Sequence, residues 1–334
     1  MNHSNRFFIR PYEAADFASV LSAIQAADAA DGLHESTTAA DLRFHLDNPT
    51  WRAQDAFVVE AAGQGVVAYA FALLRLTPTD VFYLTDAWLQ PAFRRQGIGR
   101  ALLQQQWQRV QELATELARP VTLGCRAFTT QTHALALLES FGLARARYFF
   151  EMRRALAEPA PAPVLPATLT LRTWRASEDG EAIWRALNEA FADHWNHAEM
   201  PFSEFQHRLA SGHINPDASF VVWDGAEVAG GAMNDMGPAA SQRRGDNHGW
   251  VSMLFVRRPW RHQGVGRGLL LASLRKAAAL GLSYSDINSV LSSAMGGTYV
   301  NDFLNNSRVK RVYIQGDAPH RMLPQDIAKW TVRN

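Results

Sequence analysis

Two ten-residue stretches carry the clearest chemistry in this chain. Arg94-Arg-Gln-Gly-Ile-Gly-Arg-Ala-Leu-Leu103 and Arg261-His-Gln-Gly-Val-Gly-Arg-Gly-Leu-Leu270 agree at seven of ten positions. Each follows a run with strand character, Val81–Leu89 and Trp250–Val256. Each also opens an apolar-periodic helix, carrying Leu102, Leu103, Trp107, Val110 and Leu113 in one case and Leu269, Leu270, Leu274 and Leu280 in the other. A helix N-terminus has unpaired N–H groups and about half a positive charge, which attract phosphate. Gly97, Gly99, Gly264 and Gly266 have no Cβ and let an anion approach the main chain. The flanking arginines add charge and forked donors. A pyrophosphate is the natural ligand of such a loop. The bland alternative is a turn capped by solvated arginines, and it must hold twice in the same strand–loop–helix context.

The kind of pyrophosphate follows by exclusion. A dinucleotide loop needs G-x-G-x-x-G, but Leu102 and Leu269 occupy the third-glycine positions. A nucleotide P-loop needs a G-K-[ST] ending, which is absent here. What remains is V-x-x-x-x-R-x-x-G-x-G, with Leu89 or Val256 in first position.

The elements around the loops are also repeated. Ile9-Arg-Pro-Tyr-Glu-Ala-Ala-Asp16 is echoed by Leu171-Arg-Thr-Trp-Arg-Ala-Ser-Glu178, and Asp55-Ala-Phe-Val-Val59 by Ala218-Ser-Phe-Val-Val222. The near-constant offset predicts a duplication of one αβ domain. Between the copies, Pro159, Pro161, Pro163 and Pro166 make residues 155–168 a Pro/Ala linker. The 334 residues, 47% hydrophobic and 19% charged, suit two globular domains. A formal charge of +1 leaves no global field for nucleic acid. The apolar run that contains Ala68–Leu74 is too short to span a membrane, and no signal peptide is evident at the start. One cysteine, Cys125, excludes an internal disulfide and suits a reducing, cytoplasmic setting. It lies in an apolar strand and reads as a buried small residue. His194, His197 and Glu199 could ligate a metal, although a substrate-facing polar loop is the simpler reading, and no metal is expected.

The loop motif resembles the coenzyme A loop of the GNAT superfamily of N-acetyltransferases, and the duplication resembles tandem GNAT proteins. The resemblance covers 1–154 in full and 169–281 in part. It implies an α/β (α+β) fold, a mixed sheet flanked by helices in each copy, with acetyl-CoA as co-substrate and a small-molecule amine as acceptor. The implied pyrophosphate loops are Arg94, Arg95, Gln96, Gly97, Ile98, Gly99 and Arg100, then Arg261, His262, Gln263, Gly264, Val265, Gly266 and Arg267. Strand amides holding pantetheine would lie at Ala87, Trp88 and Leu89, and at Leu254, Phe255 and Val256. Family members often carry a carboxylate base on this strand; Asp86 is the candidate, with a plain polar strand residue as the alternative. The second copy has Ser252 and Met253 there, and His248 is a more distant candidate. The usual tyrosine acid maps onto Leu138, a departure from the family; Tyr148 is near in sequence only. Acceptor specificity is expected from segments such as 28–50 and 193–216.

Composition changes near residue 281: 49 alanines precede it and three follow, and Lys276 is the only lysine before it. The remainder resembles the periplasmic porter region of resistance-nodulation-division efflux transporters. Leu282-Ser-Tyr-Ser-Asp-Ile-Asn288, Gly296–Phe303, Arg308–Ile314 and Arg321–Asp326 carry the likeness. The pattern predicts a short helix capped by Ser285 and ended by Gly296-Gly297, then a hairpin-like pair, Tyr299–Phe303 with Val309–Gln315. The chain is therefore expected to hold one complete GNAT domain, a second lacking its final strands and helix, and a small foreign αβ tail at 282–334. On that basis the first copy should bind acyl-CoA better than the second.

Overall fold

The computed structural model describes residues 7–33, 37–150, 152–158, 160–194, 197–244, 247–282, 284–287, 298–305 and 308–314. They fall into two compact units. The first lies within 1–144, 188–212 and 242–246; the second lies within 145–187, 213–241 and 247–334.

In the first unit the elements run Phe7–Pro11 (β1), Phe17–Ala30 (α1), Ala39–Leu46 (α2), Ala56–Ala61 (β2), Gly65–Leu76 (β3), Val81–Leu89 (β4), Ile98–Leu117 (α3), Val121–Cys125 (β5) and Thr132–Ser140 (α4). The sheet order is β1-β2-β3-β4-β5. The first three pairings are antiparallel and β4–β5 is parallel. Strand alternation divides the side chains between two helical layers. Val58, Tyr69 and Phe71 face Val20 and Ile24 of α1 and Leu42 of α2. Val59, Ala68 and Ala70 face Ile98 and Leu102 of α3, and Tyr83 meets Val110 and Leu113 further along that helix. Fully burying each such aliphatic side chain stabilises by about 1.5–3 kcal/mol.

Further along the chain follow Arg153–Ala155 (β6), Leu169–Thr173 (β7), Ala176–Phe191 (α5), Phe202–Ala210 (α6), Phe220–Asp224 (β8), Glu227–Asp235 (β9), Pro238–Arg244 (α7), His248–Val256 (β10), Val265–Ala279 (α8) and Tyr284–Ile287 (β11). Of these, α6, with residues 188–212 as a whole, belongs to the first unit, and most of the others to the second. The second sheet has the order β6-β11-β10-β9-β8-β7, with β10–β11 parallel and every other pairing antiparallel. Val222, Ala229 and Ala232 pack on Val265 and Leu269 of α8.

Two features differ from the sequence expectation. Arg153–Ala155, expected where the first copy meets its linker, forms the outer strand of the second sheet. Tyr284–Ile287, expected in the foreign tail, runs parallel to His248–Val251. The second copy therefore does have a strand beyond its loop helix, in the place that β5 takes in the first. The physical reason is simple: β10 without a neighbour would leave a row of unpaired backbone groups, and the next extended segment in the chain fills it. Ser285 accordingly sits in a strand and does not cap a helix. Beyond it, Thr298–Asn305 (β12) and Arg308–Ile314 (β13) form an antiparallel pair, as the pattern predicted. The helix expected over part of 288–297, with its Gly296-Gly297 stop, and the segment 321–326 lie outside the described residues.

Candidate functional site

The site in the first unit is built where β4 turns into α3. Pairing between β4 and β5 runs from Val81↔Val121 to Thr85↔Cys125 and stops, while β4 continues to Leu89. Among the described residues, Asp86 to Leu89 therefore have no strand partner on that side. The chain then makes a short turn at Pro91–Phe93 and enters α3 through Gly97, whose φ of +87° requires the left-handed region that glycine adopts without strain. The helix's own hydrogen bonds begin with Ala101 N donating to Gly97 O. The amides of Ile98, Gly99 and Arg100 are left without an acceptor among the described residues, as helix geometry requires. Ile98 is buried beneath the loop and can offer a ligand only its amide.

The second loop repeats this geometry. β10–β11 pairing ends at Val251↔Ile287, while β10 runs on to Val256. Gly264 has φ +80°, Gly268 N donates to Gly264 O, and Val265 is buried as Ile98 is. Arg95 and His262, at equivalent places, both have φ +63°. Left-handed residues set so close together turn nearby N–H groups toward one point, an arrangement suited to an anion. One difference lies in the strands: β10 carries a bulge between Val251 and Met253 that β4 lacks.

The flanking side chains do work that their spacing did not disclose. Arg94 Nε donates to Leu89 O at 3.3 Å and Arg261 Nε to Val256 O at 3.0 Å. Gln96 Nε2 donates to Ala92 O and Gln263 Nε2 to Pro259 O. These four side chains brace the loops from within. Arg100 reaches Ser140 at the end of α4. Gly99 also has a packing reason, because a Cβ there would lie 2.8 Å from Leu137 Cδ2. At Gly266 a Cβ would make only an ordinary contact with Val256. Arg267 is exposed.

Asp86, the candidate base, is ion-paired. Arg126 Nε donates to its Oδ1 at 3.2 Å, and a second guanidinium nitrogen contacts Oδ2. Around Trp88 lie two carboxylates that sequence reading missed. Trp88 Nε1 donates to Asp28 Oδ1 at 3.0 Å. Burial pushes the Asp28 carboxyl up, opposed by bonds from Thr37 and Trp88. Asp31 accepts from Arg94 at 2.6 Å and from Gln131 Nε2 at 2.8 Å, with His133 3.7 Å away. Burial works to raise the Asp31 carboxyl, and the bonds from Arg94 and Gln131 more than offset it and hold it low. No spacing rule ties Asp31 to Arg94; only the fold does. Arg126 had a signal, since it directly follows the strand Val121–Cys125 that pairs with β4.

The remaining candidates are placed elsewhere. Burial, with Asp86 nearby, pushes the Cys125 thiol up to about 12, so it is not a thiolate at neutral pH. Leu138 lies in α4; Tyr148 lies in the second unit with its hydroxyl 3.4 Å from Arg145. His248 begins β10, at the far end from Val256, and Ser252 sits at the bulge. His194, His197 and Glu199 form no metal cluster; none of three or more ligating side chains exists among the described residues. No described helix is long and apolar enough to cross a membrane.

Comparison with known proteins agrees with this geometry. The model of the acetyltransferase (GNAT) family matches residues 26–143 and again 180–290, so its second match takes in β11. The model of the AcrB/AcrD/AcrF family matches 270–334. A mycothiol acetyltransferase of Geodermatophilus obscurus is 30% identical over 274 residues, covering 81% of this chain and 84% of that protein. The multidrug export protein AcrF of Escherichia coli K12 is 59% identical over 59 residues, 18% of this chain but 6% of the transporter. A GCN5-related N-acetyltransferase structure from Sphaerobacter thermophilus superposes with a TM-score of 0.65 at 23% identity, covering 92% of this chain and 94% of that one, which shows the shared fold. With one family model matched twice and an acetyltransferase aligned along four-fifths of its length, this chain belongs to the GNAT acetyltransferase family in tandem form and carries an AcrB/AcrD/AcrF-like segment.

Proposed function

We propose that the chain transfers an acetyl group from acetyl-CoA to an amine on a small molecule, by direct attack of the amine on the thioester. One observation carries the reading: the same anion-ready loop is built twice, each time beside a strand whose last residues have left their parallel neighbour. The amides of 98–100 and 265–267 would receive the pyrophosphate. The free strand ends at Ala87–Leu89 and Leu254–Val256 would align pantetheine and donate to the thioester oxygen as it gains charge. The ammonium gives one proton to a base, the resulting amine bonds to the carbonyl carbon, the C–S bond breaks, and the second proton shed by the nitrogen passes through water to the leaving thiolate. In the first unit Asp86 is the base, once Arg126 releases it. The mycothiol acetyltransferase relative supports a small-molecule acceptor.

A second reading, an acyl-CoA-binding protein without turnover, is favoured by the engagement of Asp86 with Arg126 and by Leu138 in place of a tyrosine acid. Thiol release from acetyl-CoA across an amine panel separates the two. Amine-dependent release that falls in Gly97→Glu or Gly264→Glu supports transfer. Coenzyme A binding with no release for any amine supports the second reading.

A further inference from the structure

Beside Asp86 the first unit gathers three arginines. On β3, Tyr69, Phe71, Leu73 and Arg75 share one face; on β4, Asp86 is the register partner of Phe71 and shares it. Arg126 grips Asp86 from the end of β5. α6 lies against the same region, with His207 stacked on Phe44 at 5.0 Å and Arg208 5.8 Å from that ring. Arg208 is paired with Glu204 at 2.7 Å. Arg75 is within electrostatic range of Arg126, Arg208 and Glu204, and it has no ion-pair partner of its own among the described residues. Arg126 and Arg208 each bond a carboxylate, Asp86 and Glu204, and Arg75 brings a third guanidinium to the region.

The Asp86–Arg126 pair is itself informative. Arg126 is 73% exposed and Asp86 16% exposed, so the pair is reachable. Exposed ion pairs are weak and screened, and they exchange partners at little cost. An ion pair is the charge complement of a zwitterion. A molecule carrying an ammonium and a nearby anion can insert between the two, presenting its ammonium to Asp86 and its anion to Arg126. The planar guanidinium takes a carboxylate or a phosphate through two parallel hydrogen bonds. The Arg75 guanidinium, in electrostatic range of Arg126, adds to the anion side.

Resting on the transferase reading, we infer that the acceptor is a zwitterionic amine, with a carboxylate or phosphate close to the amine that is acylated, and that Arg126 is its specificity-determining contact. Binding of the anion would also free Asp86 to receive the ammonium proton, linking recognition to base release.

The test uses the full chain with matched amines: an amino acid, an aminoalkyl phosphate of equal length, and the amine of the same skeleton without its anion. Thiol release and calorimetric binding in the presence of coenzyme A are both measured. The wild-type protein is expected to prefer an anionic member by at least about 10-fold in kcat/KM. Arg126→Gln should raise KM for that member about 10-fold or more relative to the uncharged-tail amine, so that the preference collapses whatever happens to the common turnover; Arg126→Lys should restore part of the preference. Whether the amino acid or the phosphate gains more identifies the anion. An equal loss for all amines in Arg126→Gln, or no preference in wild type, overturns the proposal. If no amine turns over, the transferase reading fails on its own. Calorimetry then decides: anion-dependent binding lost in Arg126→Gln upholds recognition, and binding of none overturns it.

Discussion

Arg94 and Arg261, in separate copies of the repeat, make the same bond: each turns its Nε back onto the last carbonyl of the strand before its loop, Leu89 O and Val256 O. An arginine placed in this way sets the path of the backbone toward the helix. The loops consequently share positive φ at Arg95 and His262, and again at Gly97 and Gly264. Phosphate binding is then a property of amides held in place, with the conspicuous arginine acting as their brace. In the first copy Arg94 also holds Asp31.

That contact gives a first prediction. Asp31 is nearly buried and anchors Arg94 and Gln131 together. Asp31→Asn keeps the shape and removes the charge, leaving Arg94 with a weaker partner at about 1–3 kcal/mol in stability. Coenzyme A affinity in the first copy should fall while that of the second is unchanged. Calorimetric titration of Asp31→Asn in a Gly264→Glu background reads the first copy alone. An unaltered affinity would mean the loop holds its shape without Asp31.

The equivalent glycines Gly99 and Gly266 should respond differently to alanine. Alanine in a helix gains up to about 1 kcal/mol over glycine. At Gly266 the new methyl would meet Val256 at ordinary contact distance, so Gly266→Ala should be neutral to stabilising. At Gly99 it would lie 2.8 Å from Leu137 Cδ2, and that side chain must move. Gly99→Ala should therefore unfold at a lower temperature than Gly266→Ala, and Leu137→Ala in the same chain should shrink the gap. Equal melting temperatures for the two alanine variants would contradict this account.

Acid stability should depend on a repeated ion pair. Arg10 holds Asp16, and Arg172 holds Asp179, each through two nitrogens, keeping both carboxyls below the usual range. A carboxyl depressed in the folded state contributes stability that is present above its unfolded pKa, about 3.9, and is lost as pH falls through the folded value. Arg10→Gln and Arg172→Gln should each lower the melting temperature at pH 7, with the deficit closing below pH 4. A deficit that stays constant down to pH 3 would assign the arginines a packing role alone.

How far the sequence could be read depended on whether the signal was local. The loops were legible because their chemistry lies in ten consecutive residues. The Arg10 echo at Arg172 was legible too, but its partner was not: the echo aligned Glu178 with Asp16, and the structure uses Asp179, because the second turn is one residue longer. Arg126 beside Asp86 required knowing that β5 runs parallel to β4 and ends opposite Thr85. Asp31 required the whole first unit, since its partners Arg94 and Gln131 come from two distant segments. The composition change near residue 281 is real, yet it marks the origin of the residues and says nothing about where the backbone pairs.

That last point carries the final prediction. β11 is an interior strand, bonded to β10 on one side and β6 on the other. Proline within it removes an N–H donor, which an interior strand tolerates poorly, at about 3 kcal/mol or more. Asp286→Pro should therefore destabilise the second unit and weaken coenzyme A binding at its loop, while the first loop keeps its affinity. Hydrogen exchange of β10, with coenzyme A titrations in Gly97→Glu and Gly264→Glu backgrounds, measures both. If exchange in β10 and binding at the second loop are unaffected by the proline, the borrowed strand is not part of the acetyltransferase fold. If both are lost together, a stretch resembling an efflux transporter has become the strand that lets the second copy open its site.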